Sequence, residues 1–193
     1  MLLNSFNCYL YKLKYKELII IYMVITTATI GKDDNEYDNY IEEPEISSLM
    51  KLIAIHVSIT EDFISSFQFE LCDNKSLILS PLIGHKTNRE NTWTVPKNEY
   101  VSKIILYYEH FLHGIVFETD KGNKSPIFGS QTFEKKEIEI KGSLVSFGGT
   151  YSNHITSVYF IYYEFSEIEE NKKEDIDILE NIPNNYIDII VKG

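Results

Sequence analysis

The densest binding chemistry in this 193-residue chain lies in Gly148-Gly149-Thr150-Tyr151-Ser152-Asn153-His154-Ile155-Thr156. Two adjacent glycines give a backbone that a ligand can approach closely. Tyr151 adds an aromatic face, and Ser152, Asn153, His154 and Thr156 add hydrogen-bond donors and acceptors. Such groups hold a polar ligand without breaking a bond in it. The competing view is that Gly148-Gly149 only turns the chain and that Tyr151 to His154 is an ordinary solvated loop. Other chemistry finds little support. The chain has no G-x-S-x-G, H-E-x-x-H, C-x-x-C or G-x-x-x-x-G-K, which removes the familiar nucleophile, zinc, dithiol and phosphate-loop arrangements. His110 and His113 are three residues apart, so in a strand their rings point to opposite faces and cannot share a metal. Glu134, Glu137 and Glu139, interleaved with Lys135, Lys136, Ile138 and Ile140, read as the outward face of an edge strand. No catalytic residue, metal or cofactor is expected, and the chain is not read as an enzyme.

The elements that must position this segment come as a repeated unit. Val101 to Tyr108 is rich in β-branched and aromatic residues, a polar break follows at Glu109 and His110, and Leu112 to Thr119 is a second such run. The spacing Leu112-x-x-Ile115-x-Phe117 recurs upstream as Ile64-x-x-Phe67-x-Phe69 and downstream as Ile155-x-x-Val158-x-Phe160, at separations of 48 and 43 residues. Each copy follows another strand-like run, Leu52 to Val57, Val101 to Tyr108 or Leu144 to Phe147. A lone amphipathic hairpin is marginal in water, so three copies are expected to cover one another's apolar faces. Thr92 to Val95 is a short strand stopped by Pro96. Its Trp93 has the shape of a platform for the C–H face of a hexose, but a core or sheet-edge role is favoured because tryptophan is usually largely buried.

The words GIVFETDKGNKSPIFG and VSFGGTYSNHITSVYFIYY resemble the second and third units of the jacalin-type lectin domain. The resemblance implies an all-β fold, a type I β-prism of three four-stranded antiparallel Greek-key sheets with pseudo-threefold symmetry, over residues 50–165. It also implies a site in the loop of the third unit, where the family pattern G-x-x-x-D supplies a carboxylate and backbone N–H groups to adjacent sugar hydroxyls. Here the pattern departs at both ends: Ser152 stands for the Gly and Thr156 for the Asp. The matching positions of the other units are Ser65 and His113. A candidate carbohydrate site is therefore a non-standard one, made of Gly148, Gly149, Tyr151, Ser152, Asn153, His154 and Thr156.

Charge bounds the partners. The chain carries a formal −11, yet residues 51–165 hold 13 acidic and 11 basic residues, and the flanks 32–50 and 166–193 contribute −6 and −5. With one arginine, Arg89, and no basic stripe, nucleic acid and anionic surfaces are not expected as partners. The acidic flanks suit a protein partner instead.

At the N-terminus Lys12, Lys14 and Lys16 precede a mainly apolar run, Leu18 to Ile30, before the chain turns acidic at Lys32-Asp33-Asp34. This order fits a signal peptide over residues 1–31 with cleavage near Ala28 or Gly31, and hence a secreted or secretory-lumen protein. The run is shorter than the roughly 20 residues of a membrane-spanning helix, so no span is expected after signal removal. The alternative is a β-strand, LIIIYMVITT being good strand sequence, with a cytoplasmic location. Residues 32–49 read as an acidic leader and 166–193 as an acidic extension, with Tyr186 to Val191 as a further strand. Cys8 would leave with a signal, so Cys72 would have no intramolecular partner. Asn74 and Asn123 head sequons in expected loops and could carry glycans in a secretory compartment.

Two functions follow. One is a lectin-like protein binding a glycan or glycoprotein through the Gly148 to Thr156 loop, with avidity raised if it forms a homo-oligomer. The other is a β-prism that has lost sugar recognition and serves as a protein-interaction or structural module.

Overall fold

The computed structural model describes residues 9–15, 18–31, 50–72 and 76–169, with side chains for 24–31, 50–72 and 76–164. All its regular elements are strands: β1 (Tyr9–Tyr15), β2 (Leu18–Thr26), β3 (Ile30–Gly31), β4 (Lys51–Thr60), β5 (Phe63–Cys72), β6 (Leu77–Leu79), β7 (Ile83–Gly84), β8 (Glu90–Thr94), β9 (Val101–Tyr108), β10 (Leu112–Thr119), β11 (Phe128–Gly129), β12 (Glu134–Glu139), β13 (Ser143–Tyr151) and β14 (Ile155–Glu169). They form three antiparallel sheets. One runs β6-β5-β4-β8 with β7 also on β5, the second β11-β10-β9-β12, and the third β1-β2-β14-β13 with β3 also on β14.

Each sheet is built on one of the expected hairpins, β4–β5, β9–β10 or β13–β14. The recurrent spacing explains why they assemble. Ile64, Phe67, Phe69, Leu112, Ile115, Phe117, Ile155, Val158 and Phe160 are all 0% exposed and belong to one core cluster. Complete burial of such a side chain contributes about 1.5–3 kcal/mol each, so these nine positions contribute strongly to closing the prism. Phe147 ties the sheets together, its ring 4.4 Å from Phe67 and 4.5 Å from Phe69. Trp93 lies half-buried on β8, stacked at 6.3 Å on Phe117.

A second repeat joins the hairpins to their outer strands. In Ser80-Pro81-Leu82-Ile83-Gly84 the Ser80 hydroxyl accepts the Phe69 N–H at 2.9 Å and donates to the Pro81 carbonyl at 2.9 Å. In Ser125-Pro126-Ile127-Phe128-Gly129 the hydroxyl of Ser125 does the same for Phe117 and Pro126, at 3.0 and 2.8 Å. The third copy is Thr27-Ala28-Thr29-Ile30-Gly31, where Thr27 accepts from Phe160 at 3.0 Å and donates to Ala28 at 3.2 Å. Each copy ends on a glycine with positive φ, 81° at Gly84, 81° at Gly129 and 114° at Gly31.

Most of the run Leu18 to Ile30 is thus strand, broken at Thr27 to Thr29, and the third sheet draws on residues before 50. β2 pairs with β14 from Thr26↔Ile161 to Leu18↔Glu169, and β3 pairs at Val158↔Ile30. Its apolar side chains serve the sheet: Ile25 and Ile30 pack on the main core, and Val24 packs on a second cluster of Val145, Ile161 and Tyr163. At the other boundary β14 continues to Glu169. The leader 32–49, Asn74 and the strand expected at Tyr186 to Val191 lie outside the described residues.

Candidate ligand-binding site

The three hairpin turns, Glu61-Asp62, Glu109 to Phe111 and Ser152 to His154, meet at one end of the prism. The first is a tight turn with Glu61 at φ 49°. In the third, the Ser152 N–H donates to the His154 carbonyl at 3.0 Å, which closes the turn and occupies that donor. Asn153 is exposed at its tip, and Tyr151 and Ser152 are half-buried. Tyr151 packs on the core and meets the exposed His85 ring edge-on, 5.5 Å between centroids. Tyr151, Ser152 and Asn153 are therefore together at an accessible edge, joined by His85 from the loop after β7.

The remaining expected site residues face elsewhere. Gly148 and Gly149 are not in the loop but inside β13, paired with Tyr159 and Val158. The physical reason is packing: a Cβ on Gly148 would come within 2.2 Å of the Tyr159 ring, which lies over the strand. His154 turns inward, its ring stacked on Phe63 at 4.3 Å and meeting Phe111 at 5.5 Å. Thr156 is 3% exposed, with Oγ1 at 2.7 Å from the Thr150 hydroxyl. Thr150 also lies 2.8 Å from the Ser157 hydroxyl, and the Tyr108 hydroxyl donates to the Thr156 carbonyl at 2.9 Å.

The equivalent positions are also turned in. Ser65 is buried and donates to the His85 carbonyl at 2.6 Å. His113 is 5% exposed, with Nδ1 at 3.3 Å from the Asp62 carbonyl and its ring stacked on Phe133. Burial pushes the His113 imidazole below its ordinary range, against the opposing pull of the Asp62 carbonyl. His110 is exposed, and its backbone carbonyl lies 2.9 Å from the Tyr108 hydroxyl, which shares its one proton between this carbonyl and that of Thr156.

At the opposite end the sequon residue Asn123 is held by Glu99. Its Nδ2 donates to both Glu99 oxygens at 2.9 Å, and Thr119 donates to the same carboxylate at 2.6 Å. The bond from Thr119 and those from Asn123 hold Glu99 below the ordinary carboxylate range. Among the described residues no three His, Cys, Asp or Glu side chains gather as metal ligands, and no helix is long and apolar enough to cross a membrane.

Sequence reasoning did not find His85, nor the rings Phe63, Phe111 and Phe133 around the two histidines. The placement of an aromatic beside each turn, at Phe63 and Phe111, was the available signal.

A family model described as the jacalin-like lectin domain matches residues 27–161. Among solved structures, AcmJRL, a mannose-binding jacalin-related lectin from Ananas comosus, is 12% identical with a TM-score of 0.60, covering 73% of this chain and 97% of its own. A mannose-binding lectin from Champedak is 17% identical at a TM-score of 0.60, over 74% and 96% of the two chains. Artocarpin in complex with methyl-α-mannose is 18% identical at 0.61, over 73% and 97%. No curated protein matches the chain.

Proposed function

Since this chain belongs to the jacalin-like lectin domain family, we propose that it binds carbohydrate, with mannosides as the first class to test, through a non-standard site at the β13–β14 turn. The observation that carries this is the accessible group formed by Tyr151, Ser152 and Asn153 with His85 beside it. The tyrosine offers a face for sugar C–H groups, and the serine hydroxyl and asparagine amide offer donors and acceptors to sugar hydroxyls. Without a carboxylate the hydrogen bonds are neutral ones, about half as strong as the charge-assisted bonds of the family pattern, so single-site affinity is low. Glycan-array binding of the full chain tests this: selective mannoside signal is expected, reduced at least about tenfold by Tyr151→Ala or Asn153→Ala, since each removes on the order of 1.4 kcal/mol. A blank array sinks it.

A second reading has its own observation. Thr156, Ser65 and His113 are all buried and engaged internally, so the position of the family's acid is closed in every unit. A prism closed in this way serves as a protein-interaction module, and co-purification of a specific partner with a blank array would favour it. Thr27 to Gly31 as a third copy of the outer-strand repeat supports a folded protein that keeps these residues, and with it the location in which the N-terminal run is not a cleaved signal. Peptide mapping of the mature chain for Thr27 to Gly31 decides that point.

A further inference from the structure

Four rings stand in a column across the end of the prism. Phe133 stacks on His113 at 3.4 Å and 16°, His113 lies against Phe63 at 4.6 Å and 35°, and Phe63 stacks on His154 at 4.3 Å and 19°. Phe111 meets Phe63 and His154 edge-on, at 5.8 and 5.5 Å. The rings come from all three sheets: Phe63 opens β5, His113 lies on β10, Phe133 precedes β12, and His154 ends the turn before β14. We propose that this column is an acid-sensitive latch, in which protonating His113 opens the end of the prism and releases the Ser152 to His154 turn, weakening ligand binding there. The last step rests on the proposed function of that turn; the latch itself does not.

A neutral imidazole stacks as any aromatic ring does, but an imidazolium needs water or an anion. His113 is 5% exposed, and its surroundings are two ring faces and the Asp62 carbonyl. The charged and titratable groups facing it are Asp62 from the β4–β5 turn, Glu109 from the β9–β10 turn and His154. The two carboxylates favour the cation, while burial and His154 oppose it, and burial is the largest influence. His154 lies on the other face of Phe63, with its Nδ1 buried and without a hydrogen-bond partner. Because the folded protein holds His113 below its ordinary value of 6.5, the unfolded chain takes up the proton first as pH falls. The stability due to the neutral column is fully present above that value and is lost as pH falls from it through the folded value.

The test follows the imidazole resonances of the full chain by NMR through a pH titration, alongside thermal unfolding of wild type and His113→Phe, which keeps a ring that cannot titrate. A His113 midpoint below 6.5 and an acid loss of unfolding temperature that shrinks in the variant are expected. A midpoint at or above 6.5, or a variant that loses stability in acid as wild type does, overturns the latch. Should His113→Phe fail to fold, the wild-type titration decides alone. With methyl-α-mannoside as probe, wild-type binding should fall in acid and persist in His113→Phe. Absence of mannoside binding at every pH overturns the functional reading of the turn and the final step of the proposal, and leaves the latch to be decided by titration and unfolding.

Discussion

The amide of Phe160 donates to the Thr27 hydroxyl at 3.0 Å, and the Phe160 carbonyl accepts from the Thr27 amide at 2.9 Å, across 133 residues of sequence. The same pair of bonds joins Phe69 to Ser80 and Phe117 to Ser125. In each sheet the last aromatic of the hairpin repeat is clasped by a hydroxyl residue three positions before an outer strand. Thr27 therefore holds for the third sheet the place that Ser80 and Ser125 hold for the others.

Thr27→Ala should cost about 1–3 kcal/mol, because it leaves the amide of Phe160 without its acceptor beside a fully buried side chain. Ser80→Ala and Ser125→Ala should cost similar amounts. Urea unfolding measures all three; a Thr27 effect near zero beside large serine effects would mean that the third sheet is not closed in this way. A chain beginning at Lys32 lacks β2 and β3 and uncovers the edge of β14, so it should not yield a cooperatively folded prism.

The left-handed glycines make a sharper case. A Cβ on Gly84 would lie 1.9 Å from the Ser65 carbonyl oxygen, one on Gly129 2.0 Å from that of His113, and one on Gly31 2.3 Å from that of Thr156. Backbone atoms cannot move aside as a flexible side chain can. Alanine at each should cost about 2–4 kcal/mol, combining clash with left-handed strain. Gly122 has φ of 82° and no heavy atom within 4 Å of its added Cβ. Gly122→Ala should therefore cost only about 1–2 kcal/mol, the strain alone. Equal costs at all four positions would refute the role of the carbonyl contacts.

The core of this fold was legible because it is written in side-chain spacing. Ile64, Phe67 and Phe69 and their two repeats mark the buried face of each hairpin without any tertiary knowledge. The clasp was not read from the sequence: two copies, SPLIG and SPIFG, are alike, but the third, TATIG, ends an apolar run that follows three lysines and so has the layout of a leader. The candidate turn was legible only in part. Asn153 at the tip is where a polar turn residue belongs, whereas the inward direction of His154 depends on Phe63 and Phe111, brought there from other sheets. Gly148 read as a turn because its real requirement, the Tyr159 ring lying over it, comes from the partner strand.

Glu99 should shape the acid limb of stability. Hydrogen bonds from Thr119 and Asn123 favour its ionised form, so its folded value lies below the ordinary 4.5. A depressed carboxylate contributes stability that is present above the unfolded value and is lost as pH falls through the folded one. Wild type should therefore lose stability below pH 4.5 more steeply than Glu99→Gln, which carries no titrating group and loses that contribution at neutral pH as well. Urea midpoints measured across this range provide the check; parallel curves would show that the Thr119 and Asn123 bonds do not discriminate the charged form.

Thr156→Asp asks whether the scaffold still supports the family's mode of binding. The wild-type side chain faces the Thr150 hydroxyl at 2.7 Å, with Ser157 next in the same chain of hydroxyls. A carboxylate there can accept from Thr150, so burial of its charge is partly offset, and the longer side chain tests whether a second oxygen reaches a ligand at the turn. Moderate loss of stability, about 1–3 kcal/mol, is expected together with mannoside binding at least tenfold tighter than wild type. The two readouts separate the causes. Tighter binding on a folded variant shows that the missing acceptor alone limits the wild-type site. A folded variant with no gain would rule out sugar recognition at this end of the prism, where His154 holds the turn against Phe63.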